Sequence, residues 1–295
     1  MRYVLFVIGA GILYGTTGTS QAFAPESASS LSIGSARLGV GGLLLGIVGL
    51  AYWLRKPIAA RTARGGWPTL AAIAIGAASV MGYQATFFAG TRANGVAVGT
   101  VLAIGSSPMF AGFFEWLILR VKPDLRWLLL TLLGVFGVYL LSATGNALAA
   151  PDIWGVVASL TAGASYAAYT VAMRVLLNRG WGSLEAVSSI LALGAVMALA
   201  NLATTDISWI SEPGGVPVVA WLAIATVMGA YTLNAAGLAG ISAAKTATLT
   251  LAEPATATAL GVLVLREQLS VPGALGIAIV VVSVVLLGMP SRAKT

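Results

Sequence analysis

The chain has 295 residues, 58% of them hydrophobic and only 8% charged, with a net charge of +7 and neither cysteine nor histidine. So little charge cannot cover the surface of a soluble domain of this length. The missing residue types exclude disulfides, the usual zinc and haem sites and imidazole catalysis, and the basic residues, lying between apolar runs, read as membrane flanks rather than a nucleic-acid footprint.

A helix crosses a bilayer in about 20 apolar residues. Ten runs of that kind follow one another: Tyr3–Phe23, Leu31–Leu54, Trp67–Ala89, Ala93–Leu119, Trp127–Ser142, Ile153–Met173, Leu184–Thr204, Val216–Gly240, Ala243–Leu265 and Val271–Met289. The first run ends in Ala22-Phe23-Ala24, which imitates a signal-peptidase site. However, the stretch is too long, a single Arg2 precedes it and Pro25 would follow the cut, so it reads as a retained span. The connections are too short for a soluble domain. The glycines, 36 in all, suit close helix packing in lipid.

Lysine and arginine set the expected orientation. With the amino terminus inside, the inner side receives Arg2, Arg55, Lys56, Arg61, Arg64, Arg120, Lys122, Arg126, Arg174, Arg179, Lys245, Arg292 and Lys294. The outer side receives Arg92 and Arg266, with Arg37 slightly inside the second span, together with the acids Glu26, Asp152, Asp206 and Glu212. Both termini are therefore expected in the cytoplasm.

The fourth and ninth runs match. One shift carries Pro108 onto Pro254 and Arg120 onto Arg266. Weaker correspondences join Tyr14-Gly15 with Tyr166-Ala167 and Gly82-Tyr83-Gln84 with Ala230-Tyr231-Thr232. Five spans per half is an odd number, so the halves, 1–149 and 150–295, must insert with opposite topology. A proline inside a span frees the carbonyl one turn back, near Ile104 and Thr250, which lipid cannot satisfy. Interrupted helices at matching places in two repeats point to a transporter's binding site.

Glu253 lies inside the ninth span, where an ionised group costs a few kcal/mol or more. It is either a carboxylate that titrates or binds a substrate amine, or a buried acid capping amides exposed by Pro254. Lys245 reads as a cytoplasmic anchor more readily than as a partner for a substrate carboxylate, and Arg37 as a snorkelling anchor or an inward-facing gate. Tyr14, Tyr83, Gln84, Tyr166, Tyr169, Tyr231 and Asn234 either line a cavity or tie helices together. Ser106 and Ser107 either meet solute or satisfy the turn broken by Pro108. The tryptophans 53, 67, 127, 154, 181, 209 and 221 read as an interfacial belt, and Gly9, Gly11, Gly15, Gly18, Gly134 and Gly137 as packing faces.

The ten spans, the paired prolines, the Leu265-Arg266-Glu267-Gln268-Leu269 turn followed by Gly273 and Gly276, the Glu253-Pro254 pair and Arg37 resemble the EamA branch of the drug/metabolite transporter superfamily. Within it the overall pattern is most similar to aromatic amino acid exporters. The resemblance implies an all-α bundle of ten transmembrane helices in two inverted five-helix repeats around a central cavity. It implies export of neutral or aromatic amino acids and related metabolites across the bacterial inner membrane by alternating access, with Pro108 and Pro254 at the moving segments. It also implies a monomer without ATPase, cofactor or metal, with protons as a candidate coupling ion. Broad drug or metabolite efflux, or a facilitator for another small solute, is the alternative. An enzyme lacks nucleophile, base and more than one evident buried acid. A channel lacks a filter sequence, and sugar-phosphate transport lacks a deep cluster of cations. The first-span acid of four-helix multidrug exporters is absent from Tyr3–Phe23.

Overall fold

A computed structural model describes residues 1–56, 65–142 and 152–289, with the side chain of Ala97 excepted. Arg61, Arg64, Arg292, Lys294 and the junction of the two halves lie outside the described residues. Ten helices are long and apolar enough to cross a membrane. They are α1 (Arg2–Gln21), α2 (Ser30–Arg55), α3 (Trp67–Val96), α4 (Val98–Leu119), α5 (Leu125–Ser142), α6 (Ile153–Asn178), α7 (Ser183–Leu202), α8 (Gly215–Leu238), α9 (Ala243–Leu265) and α10 (Val271–Gly288). A single turn of 3-10 helix, Ser208–Ser211, joins α7 to α8.

Helix starts are set by short polar side chains that accept from the first free amides. Ser29, Asp152, Ser242 and Ser270 do this for α2, α6, α9 and α10. Two ends mirror each other: α4 and α9 both stop at an arginine in the left-handed region, Arg120 at φ 60° and Arg266 at φ 61°. The connection between the third and fourth spans lies at Gly95 rather than between Ala89 and Ala93. Helical hydrogen bonding runs from Trp67 to Leu119, interrupted at Gly95 (φ 78°, ψ 157°), a conformation open essentially to glycine alone.

The packing repeats itself under exchange of the two halves. Helix α2 lies on α7 and α5 on α10, each against its own counterpart. Helix α6 lies on α3 and α4, as α1 lies on α8 and α9. This pattern is that of an inverted pair of five-helix repeats. Small residues bring the axes together: along α2, Gly42 and Gly46 meet Ala195 and Ala192 of α7. A Cβ at Gly42 would lie 2.5 Å from the Leu191 carbonyl oxygen.

The tryptophan belt holds for Trp53, Trp67, Trp154 and Trp221, which are exposed. It fails for two. Trp209 is fully buried and donates Nε1–H to Ser32 Oγ at 2.8 Å, and Trp127 is buried and donates to Thr248 Oγ1 at 3.0 Å. An indole with a buried partner for its N–H is packing material, not an interfacial float.

Gly42→Val should overpack the α2–α7 seam and destabilise the protein by about 1–3 kcal/mol. Gly18→Ala, with nothing within 4 Å of its new methyl, should leave thermal unfolding in detergent unchanged.

Candidate functional site

A cavity of about 540 Å³ opens among α1, α2, α3, α4, α5, α6, α8 and α9. Its walls come from the second half of α1, the first half of α2, the last turns of α3 and the second half of α9, and Gln21, Ser30 and Ser142 lie at its rim. It therefore reaches the face opposite the chain termini. Toward the termini its lining ends where Ala111 of α4, Ala167 of α6 and Ala247 of α9, all fully buried, cluster together with Phe110 and Phe114 against them.

The prolines explain the shape of the walls. Pro108 cannot donate to Ile104, and Ser107 replaces the lost bond, Oγ to the Ile104 carbonyl at 2.9 Å. Ser106 likewise turns back to Ala103 at 3.4 Å. Of the two expectations for this pair, repair of the broken turn matches the geometry; neither serine lines the cavity. At the counterpart position the helix breaks near Thr250, whose carbonyl accepts from Glu253 N–H at 2.9 Å. Both freed carbonyls are thus satisfied by the chain itself, and the break re-aims Glu253 into the cavity. Its carboxylate accepts no hydrogen bond from any described residue, so the capping expectation for Glu253 is not met.

Arg37 faces inward rather than snorkelling to the surface. Its guanidinium donates to Gln84 Oε1 at 3.1 Å, Thr17 Oγ1 at 3.3 Å and Thr226 Oγ1 at 3.5 Å. Thr226 sits in a stretch of π-helix within α8, Leu222–Gly229, whose widened turn carries it to the arginine. All three acceptors are neutral. The ion pairs among the described residues join Lys56 to Glu185 and Lys245 to Asp124, so Arg37 and Glu253 share one cavity without neutralising each other. Gln84 is buried, and its other end donates to the Gly34 carbonyl at 3.2 Å. Gln84 thus positions Arg37 while itself lining the cavity, with one N–H and one lone pair still uncommitted.

Of the remaining candidates, Tyr14, Tyr83, Tyr166, Tyr231 and Pro254 line the cavity. The tyrosine rings form a continuous chain along its floor: Tyr83 to Tyr166 (6.4 Å), Tyr166 to Tyr169 (6.3 Å), Tyr169 to Tyr231 (5.4 Å) and Tyr231 to Tyr14 (5.4 Å). Tyr169 and Asn234 lie beneath the floor, fully packed. Asn234 donates to the Tyr166 hydroxyl at 3.3 Å, which donates to Thr250 Oγ1 at 3.3 Å. The hydroxyls of Tyr14 and Tyr169 and Asn234 Oδ1 are buried without a partner among the described residues. Pro108 does not line the cavity, and Lys245 sits at the termini face, 3.9 Å from Asp124.

Sequence reasoning missed Thr17, Thr226, Phe87 and Phe88. Phe87 follows Tyr83 by one helical turn and stacks on it at 5.5 Å, a spacing that would have revealed it. Thr226 depends on the π-helical turn and carries no such signal.

A ten-helix bundle in two inverted halves around a charged cavity open toward one face has the architecture of a membrane transporter. The model of the EamA-like transporter family matches residues 1–143 and again 153–289. The chain belongs to that family, within the drug/metabolite transporter superfamily. It is similar to the uncharacterized transporter YwfM of Bacillus subtilis (strain 168), at 37% identity over 99% of this chain and 96% of that protein. It is also similar to the uncharacterized inner membrane transporter YicL of Salmonella typhimurium (strain LT2), at 24% identity over 99% and 96%. A solved crystal structure shares the fold with a TM-score of 0.79 at 17% identity, covering 97% of this chain and 96% of that one.

A Cβ at Gly34 would lie 2.8 Å from Gln84 Nε2, so Gly34→Ala and Gln84→Leu should both dislodge Arg37. Losing one hydrogen bond to a charged group should raise KM for solute about tenfold. The maximal rate should change less, as read by initial rates in proteoliposomes.

Proposed function

We propose that the protein exports neutral and aromatic amino acids and related metabolites across the bacterial inner membrane by alternating access. The observation that carries this reading is the unneutralised pair of opposite charges in one aromatic-floored cavity. A zwitterion brings one charge of each sign. Its carboxylate would meet Arg37, whose present partners are neutral oxygens, and its ammonium would meet the unpartnered Glu253. A planar side chain would lie on the tyrosine floor, which gains more from an aromatic ring than from a polar one.

The orientation is argued from charge. Arg2, Arg55, Lys56, Arg120, Lys122, Arg126, Arg174, Arg179 and Lys245 gather at the termini face, against Arg92 and Arg266 at the other. That makes the termini face cytoplasmic and the cavity open outward. The working unit is one chain, whose halves, 1–149 and 150–295, contribute Arg37 and Glu253 respectively. Alternating access follows from opposite insertion, because exchanging the conformations of two inverted copies exchanges the open and closed faces. Export is driven either by protons through Glu253 or by the solute gradient alone.

Counterflow with labelled phenylalanine, tryptophan, threonine and a phosphate sugar tests the substrate class. Accumulation of the amino acids is expected; accumulation of the phosphate sugar alone would falsify the reading. Arg37→Gln should raise KM for amino acids at least tenfold while sparing the corresponding amines, which lack a carboxylate. With an imposed pH gradient, Glu253→Gln should remove any dependence of the rate on that gradient.

A further inference from the structure

Sequence reasoning found one buried acid; the structure holds a second that the transport site does not use. Glu115 lies one turn from the end of α4 and is 2% exposed. Its two carboxylate oxygens accept from the first two amides of another helix, Ala243 N–H at 2.8 Å and Ala244 N–H at 3.0 Å in α9. Those amides have no partner within α9, and the positive end of a helix dipole holds a carboxylate well. The same short turn is gripped from its other side. Arg174 of α6 donates to the carbonyl of Leu238, the last residue of α8, at 2.6 Å. The Tyr3 ring of α1 lies against Gly240 within the turn. A negative group thus holds the amide end of the α8–α9 turn and a positive group its carbonyl end.

Among the described residues the opposite face shows no such clamp. The shift that superposes Pro108 on Pro254 puts Gly261 where Glu115 would be; the Glu267 carboxylate, from the turn after α9, lies against Gly261 but takes no amide of α4 among the described residues. The counterpart turn, between α3 and α4, has Gly95 with nothing within 4 Å and Val96 73% exposed. Asn94 ties it to Asp152 at the start of α6, at 2.7 and 3.0 Å. Among the described residues, no acid of α9 reaches the first amides of α4. Two inverted copies would otherwise be balanced between their two conformations; among the described residues the clamp is found on the termini face alone.

We propose that Glu115 is the latch of the termini-face gate. It ties the N-terminus of α9 to α4 and, with Arg174, holds the α8–α9 turn shut. The absence of a counterpart at the other face sets the resting state as open away from the termini. This rests on alternating access but not on the identity of the solute. To pass solute on the termini side, α9 must part from α4 at Ala111 and Ala247, and that separation breaks both bonds to Glu115.

The test reads accessibility without a substrate, and the natural absence of cysteine makes single labels simple. Ala247→Cys reports the closed side and Thr258→Cys the open cavity. Each is labelled with a membrane-impermeant maleimide in membranes of known sidedness. Glu115→Gln keeps the volume but replaces one acceptor oxygen by a donor facing an amide. Ala243→Pro removes a latched N–H at the first position of a helix, where proline is tolerated, and Ser242 before it already has the extended ψ of 158° that proline requires. In both backgrounds labelling of Ala247→Cys from the termini face should rise at least tenfold and that of Thr258→Cys should fall. Unchanged labelling of Ala247→Cys in both backgrounds, with unfolding temperatures close to the parent, would overturn the latch. Failure of amino acid counterflow with this labelling response intact would sink the substrate reading and leave the latch standing.

Discussion

Hydrocarbon offers no hydrogen bonds, and every other feature of this molecule follows from that. A backbone crossing the bilayer must satisfy itself, so the chain is helical throughout its spans. Where a proline breaks the ladder, the chain repairs it locally, with Ser107 at one break and a tightened turn at Thr250 in the other. Polar side chains obey the same rule. Gln84 bonds at both ends, Asn234 and Tyr166 pass a hydrogen bond on to Thr250, and Glu115 finds two helix amides. The polar groups that break the rule are therefore informative. Beside the unpartnered tyrosine and Asn234 oxygens at the cavity floor, Glu253 accepts no hydrogen bond from the described residues, and Arg37 has neutral acceptors but no carboxylate in ion-pair contact.

Most of the fold was legible because lipid makes the code simple. Apolar runs gave ten spans whose ends mostly agree with the helices to within two residues, the exceptions being the α3–α4 junction and the end of α6. The paired prolines gave the two halves, and Arg120 with Arg266, aligned by position alone, proved to share the same left-handed backbone. The connection after α3 is expected between Ala89 and Ala93, where Arg92 breaks the apolar run, whereas the chain turns at Gly95.

The site was read in part. A sequence shows which polar residues enter the membrane but not which way they face. Arg37 reads equally well as an anchor until the three oxygens around it are seen to lie inside the bundle. Tyr169 and Asn234 share the spacing of the lining residues yet fall one layer deeper. Glu115 escaped because it lies between Phe114 and Trp116, where a single acid scarcely lowers the hydropathy. Its partners are backbone amides of a remote helix and leave no mark on the sequence.

The two seams of α2 with α7 and of α5 with α10 each join a helix to its own counterpart. Under the alternating access proposed above, turning the molecule inside out would leave such a seam with the same neighbours. A substitution there weakens both end states alike and leaves their ratio where it was. A substitution in α1, α3, α4, α6, α8 or α9 would, on the same proposal, meet different neighbours in the two states, and so tilt the balance even far from any solute. Drift in this protein should accordingly come in two kinds, one that alters how much of it survives in the membrane and one that alters which way it spends its time facing.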